Sequence, residues 1–77
     1  MIRKRSVSLK GHPTSVSLED QFWGELKRMA EQSGVSLAAM VESIDSRRDG
    51  LNLSSALRLA VLAELKRQLD RRSAAAQ

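Results

Sequence analysis

Polar and apolar residues alternate twice near the start of the chain, and at Leu18 the alternation gives way to a helical period. The tetrapeptide SVSL occupies residues 6–9 and recurs at residues 15–18. Each copy sets an apolar residue at every second position, the pattern of a strand with one buried face. Thr14 leads the second copy, and Gly11 and Pro13 break the chain between the two. Two pairings satisfy this pattern: a local hairpin, or pairing of each copy with another molecule. The stretch 10–14 lacks the Asn-Gly type of dipeptide that closes two-residue hairpins, so the hairpin draws less support from its turn.

Beyond Leu18 the period is that of a helix. Phe22, Leu26, Met29 and Ala30, with Trp23 beside them, share one face. Glu19 and Asp20 sit where a helix dipole favours anions, and Lys27 and Arg28 where it favours cations. Gly34 supplies a left-handed terminator, so a helix is predicted over residues 20–32. Ser36 is a good N-cap for a second helix, whose apolar positions are Leu37, Met40, Val41 and Ile44. It ends in the polar run 45–50, after which Asn52 or Ser54 can cap a third helix. Leu57, Ala60, Val61, Leu65 and Leu69 form the stripe of that helix, flanked by Leu53 and Leu62, and residues 73–77 read as a frayed tail.

Length turns this list of elements into an expectation of self-association. A chain of 77 residues is about half an ordinary domain, and buries only about 60–65% of its unfolded surface. It has no cysteine for disulfides, and its one histidine, His12, cannot build a zinc site, so neither metal nor cofactor is expected. A single strand also leaves unpaired edges. In a twofold dimer, residues 14–18 of two chains pair antiparallel into a ribbon that covers the helices of both. The expected layout is one domain: a basic arm over 1–13, a strand and two helices over 14–48, an added helix over 49–72, and the tail.

Charge adds the kind of partner. Residues 1–18 carry Arg3, Lys4, Arg5 and Lys10 and no acid. Residues 19–46 carry six acids against Lys27 and Arg28, and residues 47–77 carry seven bases against Asp49, Glu64 and Asp70. Basic ends around an acidic middle point to an anionic polymer or surface. No apolar run reaches the ~18 residues of a membrane span, and no apolar segment follows the basic start as in a signal peptide. A membrane-surface role also lacks support, because the basic arm has strand spacing rather than the amphipathic helix such binding needs. A cytoplasmic protein is expected. With no Cys, no Tyr, one His and no glycine-rich phosphate loop, nothing is set up for acid–base or nucleophilic catalysis, so an enzyme is not expected.

The stretch 14–45 resembles the ribbon-helix-helix repressors of the MetJ/Arc/CopG type. The shared pattern is a short alternating strand ending in Leu (Val16, Leu18), an acidic helix start (Glu19, Asp20) and an apolar pair (Phe22, Trp23). Leu26, Met29 and Ala30 follow, and then a Gly-x-Ser turn at residues 34–36. The whole chain is similar to a small bacterial subfamily with a basic arm before the strand and a third helix after it. The resemblance implies a mainly α fold with a short N-terminal strand, an intertwined homodimer, and an intersubunit antiparallel ribbon that enters the major groove of double-stranded DNA. Its outward residues, Ser15 and Ser17, would read base edges. If the first SVSL copy forms the ribbon instead, the readers become Ser6, Ser8 and Lys10.

The resemblance further implies phosphate contact by the backbone of Val35, Ser36 and Leu37, at the start of the second helix. Arg3, Lys4, Arg5, Lys10 and His12 would add charge at the DNA backbone. Val16, Leu18, Phe22, Trp23, Leu26, Met29, Leu37, Met40, Val41 and Ile44 would fill the dimer core. The implied function is a bacterial transcriptional regulator, a repressor, nucleoid-associated when bound, with adjacent dimers binding cooperatively. The alternative is a protein-interaction module, antitoxin-like or a co-regulator, that uses the third helix as its docking surface.

Overall fold

A computed structural model describes residues 1–75. Strand β1 (Ile2–Leu9) turns into β2 (His12–Glu19), and helices α1 (Asp20–Ser33), α2 (Leu37–Ser46) and α3 (Leu53–Ala75) follow. The two strands pair antiparallel, with Ser6 opposite Ser15 and Arg5 opposite Val16. Both SVSL copies therefore lie in one ribbon made by one chain. Residues 1–13, expected as an arm, form strand and turn, and within one chain the ribbon is the local hairpin, one of the two pairings that the alternation allowed.

The hairpin closes at Lys10 and Gly11, both with left-handed backbone (φ 52° and 83°). That is the twist a two-residue turn needs, normally met by Asn-Gly. Gly11 adopts it freely, whereas Lys10 is a non-glycine residue held there at a cost of about 1–2 kcal/mol. An anchor outside the turn helps to hold it: the Lys10 N–H donates to Glu42 Oε2 at 3.1 Å. Glu42 lies 32 residues away, so the dipeptide alone does not reveal the turn. Lys10→Asn should raise the unfolding midpoint by an increment worth up to about 1 kcal/mol, since Asn tolerates this backbone better. Thermal denaturation followed by circular dichroism checks it, and an unchanged or lowered midpoint counts against the turn.

The helix ends follow their local chemistry. Gly34 is left-handed (φ 70°); its N–H donates to the Glu31 carbonyl, and the Val35 N–H donates to the Ala30 carbonyl. Ser36 caps α2 by accepting the Ala39 N–H at 3.0 Å, and Asn52 caps α3 by accepting the Ser55 N–H at 2.8 Å. Helix α3 runs through residues 73–75, part of the stretch expected to fray, and residues 76–77 lie outside the described residues.

The ribbon lies on the helix layer with Val7, Val16 and Leu18 inward. These pack with Trp23, Leu26 and Met29 of α1, Val41 and Ile44 of α2, and Leu53, Ala56, Leu57 and Val61 of α3. Phe22, Leu37 and Met40 are half-buried against this cluster. The residues expected to fill a dimer core thus form or border the core of a single chain. The reason is α3: its first half supplies an apolar layer that the minimal two-helix pattern lacks. Its stripe splits, because Leu57 and Val61 are buried whereas Leu65 and Leu69 are exposed.

Candidate nucleic-acid interface

Strand alternation sorts the ribbon into two faces. Odd residues of β1 and even residues of β2 face the helices. Lys4, Ser6, Ser8, Pro13, Ser15 and Ser17 lie on the other face, and all are exposed. Ser6 stands directly across from Ser15, and Lys4 from Ser17. The outward surface is therefore a row of four short hydroxyl side chains with one lysine and Pro13, and with exposed Ile2 and half-buried Glu19 at its root. Hydroxyls donate and accept, so the row offers both kinds of hydrogen bond to a polar groove. Ser15 and Ser17 stand where base readers were expected. Ser6, Ser8 and Lys4 join them because β1 completes the ribbon; the repeated tetrapeptide was the signal for the two serines.

The basic residues divide by the same alternation. Lys4 is outward, whereas Arg3 and Arg5 stand on the inward side, opposite Leu18 and Val16. Arg5 Nη2 donates to Asp20 Oδ1 at 2.6 Å, and its guanidinium lies 4.9 Å from the centroid of the Trp23 ring. Arg3 Nε approaches the same carboxylate at 3.6 Å. One acid at the start of α1 thus offsets two of the four bases of residues 1–18. Arg5 fastens the ribbon to α1 by an ion pair and a cation–π contact, whereas Lys4, Lys10 and His12 are exposed. Composition alone could not separate Arg5 from Lys4, because strand register decides which one faces inward.

Helix α3 fixes the outer edge of β2. The Ser54 hydroxyl accepts the Ser17 N–H at 3.1 Å, and Arg58 Nη2 donates to the Ser17 carbonyl at 3.2 Å. Arg58 Nε also donates to Glu19 Oε1 at 3.1 Å. A hydrogen bond from its own backbone and the Arg58 guanidinium hold the Glu19 carboxyl below the usual carboxylate range. This clasp leaves the Ser17 hydroxyl on the exposed face while holding its backbone still. From the sequence, Arg58 belongs only to a docking helix; its role at the ribbon was missed, since contact across 41 residues leaves no local trace.

At the start of α2 the expected phosphate donors are reduced by one. The Val35 N–H is taken by the Ala30 carbonyl, because the glycine that ends α1 wraps the chain back onto that helix. The Ser36 and Leu37 N–H groups remain in the first turn of α2, where the helix dipole favours an anion.

No helix among the described residues is long and apolar enough to cross a membrane. Neither curated proteins nor solved structures gave a significant match to the chain. A family model for the ribbon-helix-helix domain does match, over residues 2–65. That stretch contains both strands, α1, α2 and the first half of α3. Members of this family are typically DNA-binding transcription regulators or antitoxins. With most of its length inside the match and the ribbon followed by its helices, the chain belongs to the ribbon-helix-helix domain family.

Proposed function

We propose that the protein binds double-stranded DNA as a homodimer, lays the outward face of the ribbon in the major groove, and regulates transcription. The observation that carries this reading is the exposed row of Lys4, Ser6, Ser8, Ser15 and Ser17. The major groove admits a two-stranded ribbon and presents a donor and acceptor pattern distinct for each base pair. Serine hydroxyls match either kind of group but lack a bidentate fork, so each discriminates weakly. Lys4 is the one long cationic side chain on the row, and guanine O6 and N7 are its matching partners. Arg3, Lys10 and His12 stand near enough to the ribbon's ends to serve the phosphates, with the Ser36 and Leu37 N–H groups as further anion donors.

Selection of bound fragments from genomic DNA, followed by titration of the selected duplex, tests the reading. Ser15→Ala with Ser17→Ala should change which sequence is preferred more than the overall affinity. Lys4→Ala should weaken binding and relax the preference at one base pair, by about 1–3 kcal/mol of discrimination. Arg5→Ala should act chiefly on stability, because its guanidinium is committed to Asp20 and Trp23. Absence of binding to any selected duplex at low salt rejects the proposal.

A second reading has its own observation. Leu62, Leu65 and Leu69 lie exposed along the second half of α3. Spaced by three and four residues, they form a stripe suited to another protein's helix. In this reading the chain is an interaction module of antitoxin or co-regulator type. Loss of partner binding, but not duplex binding, in Leu65→Glu would favour it.

A further inference from the structure

A cleft of about 260 Å³ opens between α2, α3 and the connection that joins them. The connection shapes one wall. Asp49 and Gly50 both take left-handed backbone (φ 47° and 85°), and the Leu51 N–H donates to the Arg48 carbonyl at 3.0 Å. Arg48 Nη1 returns a bond to the Leu51 carbonyl at 3.0 Å. This tight turn holds Leu51 at the cleft with 44% of its surface exposed. Leu59 of α3 lines the same cleft and is 52% exposed. Buried Ile44 and Ala56, with half-buried Ala60, form the floor.

The charged part of the lining is all cationic. Arg47, Arg48 and Arg67 line the cleft, and among the described residues no carboxylate does. Two of these guanidiniums are already engaged: Arg48 Nε stands 2.7 Å from Asp45 Oδ1, and Arg67 Nη2 stands 2.6 Å from Glu64 Oε1. Arg47 Nε donates to the Ser43 carbonyl at 3.2 Å, and Arg47 has no acidic partner among the described residues. We propose that this cleft binds a small organic monocarboxylate, its apolar body against Leu51, Leu59 and Ala63 and its carboxylate on Arg47. The outward residues of the ribbon, and Leu62, Leu65 and Leu69 of α3, do not line it, so the site goes beyond both surfaces described above.

Three features select this occupant. Leucines exposed on two walls of one cleft are unfavourable in water, and a single apolar body covers both. The planar fork of arginine takes a carboxylate through two parallel N–H···O bonds, and apolar surroundings strengthen them. Only Arg47 lacks an acidic partner, so one negative charge suits the site better than the two of a phosphate monoester. Size sets the length of the body: the cleft falls just below the roughly 300–1,000 Å³ common for small-molecule sites, so the ligand is short. A second copy of the chain fits poorly, because a twofold contact through the cleft sets three arginines against the same three.

Calorimetric titration of the full chain with sodium octanoate, below its micellar range, tests the site. Octanoate should bind saturably, one per chain. Two further probes divide its chemistry: 1-octanol keeps the body without the charge, and acetate keeps the charge without the body. Each should bind at least about tenfold more weakly than octanoate. Arg47→Gln should weaken octanoate by about tenfold, the usual worth of a charge-assisted hydrogen bond, and remove its advantage over 1-octanol. Ala63→Phe fills the cleft from an exposed position outside the core, and should abolish saturable binding. Lys66→Gln removes an exposed cation outside the lining and should leave the affinity unchanged. Circular dichroism confirms that each variant is folded, and Arg47→Gln carries the test if Ala63→Phe is not.

Four results overturn the proposal. Absence of saturable octanoate binding means that the cleft takes no ligand of this class. Equal binding of 1-octanol or acetate means that charge or body is not recognised. Equal loss in Arg47→Gln and Lys66→Gln means that only the general positive field attracts the anion. Undiminished binding by a folded Ala63→Phe places the ligand elsewhere. Duplex binding is measured separately, and none of these results bears on it.

Discussion

Raising salt from 50 to 200 mM should weaken binding to a selected duplex by about 10³- to 10⁵-fold if the dimer contacts six to ten phosphates. The expectation follows from the thin chemistry of the groove-facing row. Four serine hydroxyls and one lysine per chain offer little direct readout, so most of the affinity must come from charge. That charge is more local than composition implies. Arg3 and Arg5 share Asp20, and Arg58 is spent on Glu19 and the Ser17 carbonyl. Lys4 and Lys10, with Arg3 held only loosely at 3.6 Å, therefore carry the field around the ribbon, doubled in a dimer. Removing Lys4 should lower the magnitude of the logarithmic salt slope by about one for each cation withdrawn from the DNA. Arg5→Ala, compared at temperatures where it remains folded, should leave the slope nearly unchanged. A slope near zero in the wild type would sink the electrostatic account altogether.

Leu18→Ala should destabilise the chain by about 2–5 kcal/mol, the usual range for emptying a buried leucine position. Leu18 is fully buried at the end of β2, where the ribbon meets the helices. A chain of 77 residues has a total stability of roughly 4–12 kcal/mol at typical values per residue, so this one change removes a large part of it. Urea denaturation should show a lowered midpoint with an unchanged slope. Leu69→Ala is the contrast: the same chemistry at a residue 62% exposed should cost no more than about 0.5 kcal/mol. Equal destabilisation at the two sites would mean that the exposed half of α3 is covered in solution. That result would favour the partner-docking reading.

The helices were legible from the sequence because their signals are local. Gly34, Ser36 and Asn52 act on backbone groups within a few residues of themselves, and the apolar spacing of residues 22–30 reports a helix whatever packs on it. Reading α1 as residues 20–32 missed its end by one residue. The serine row was half legible. Alternation set Ser15 and Ser17 on one face, and the repeated tetrapeptide held Ser6 and Ser8 in reserve as alternatives. That all four stand together required knowing that the copies pair with each other. The turn hid this, because the anchor of Lys10 lies far along the chain at Glu42.

By itself, then, the sequence determined the order of strand and helices, their caps, the family pattern and the alternation of charge, all of which depend on neighbours a few positions apart. Tertiary structure decided which strand β2 takes as its partner. It also decided that Arg5 faces Asp20 and Trp23 while Lys4 faces outward, that Arg58 clasps the edge at Ser17, and that only the first half of α3 enters the core. Each of these depends on contacts between residues 15 to 41 positions apart, apart from the pairing, which a turn of only two residues closes. There the limit was energetic rather than one of distance. A lysine in left-handed backbone is unfavourable in isolation, and it becomes part of the fold only when packing of the ribbon and the bond to Glu42 outweigh its cost.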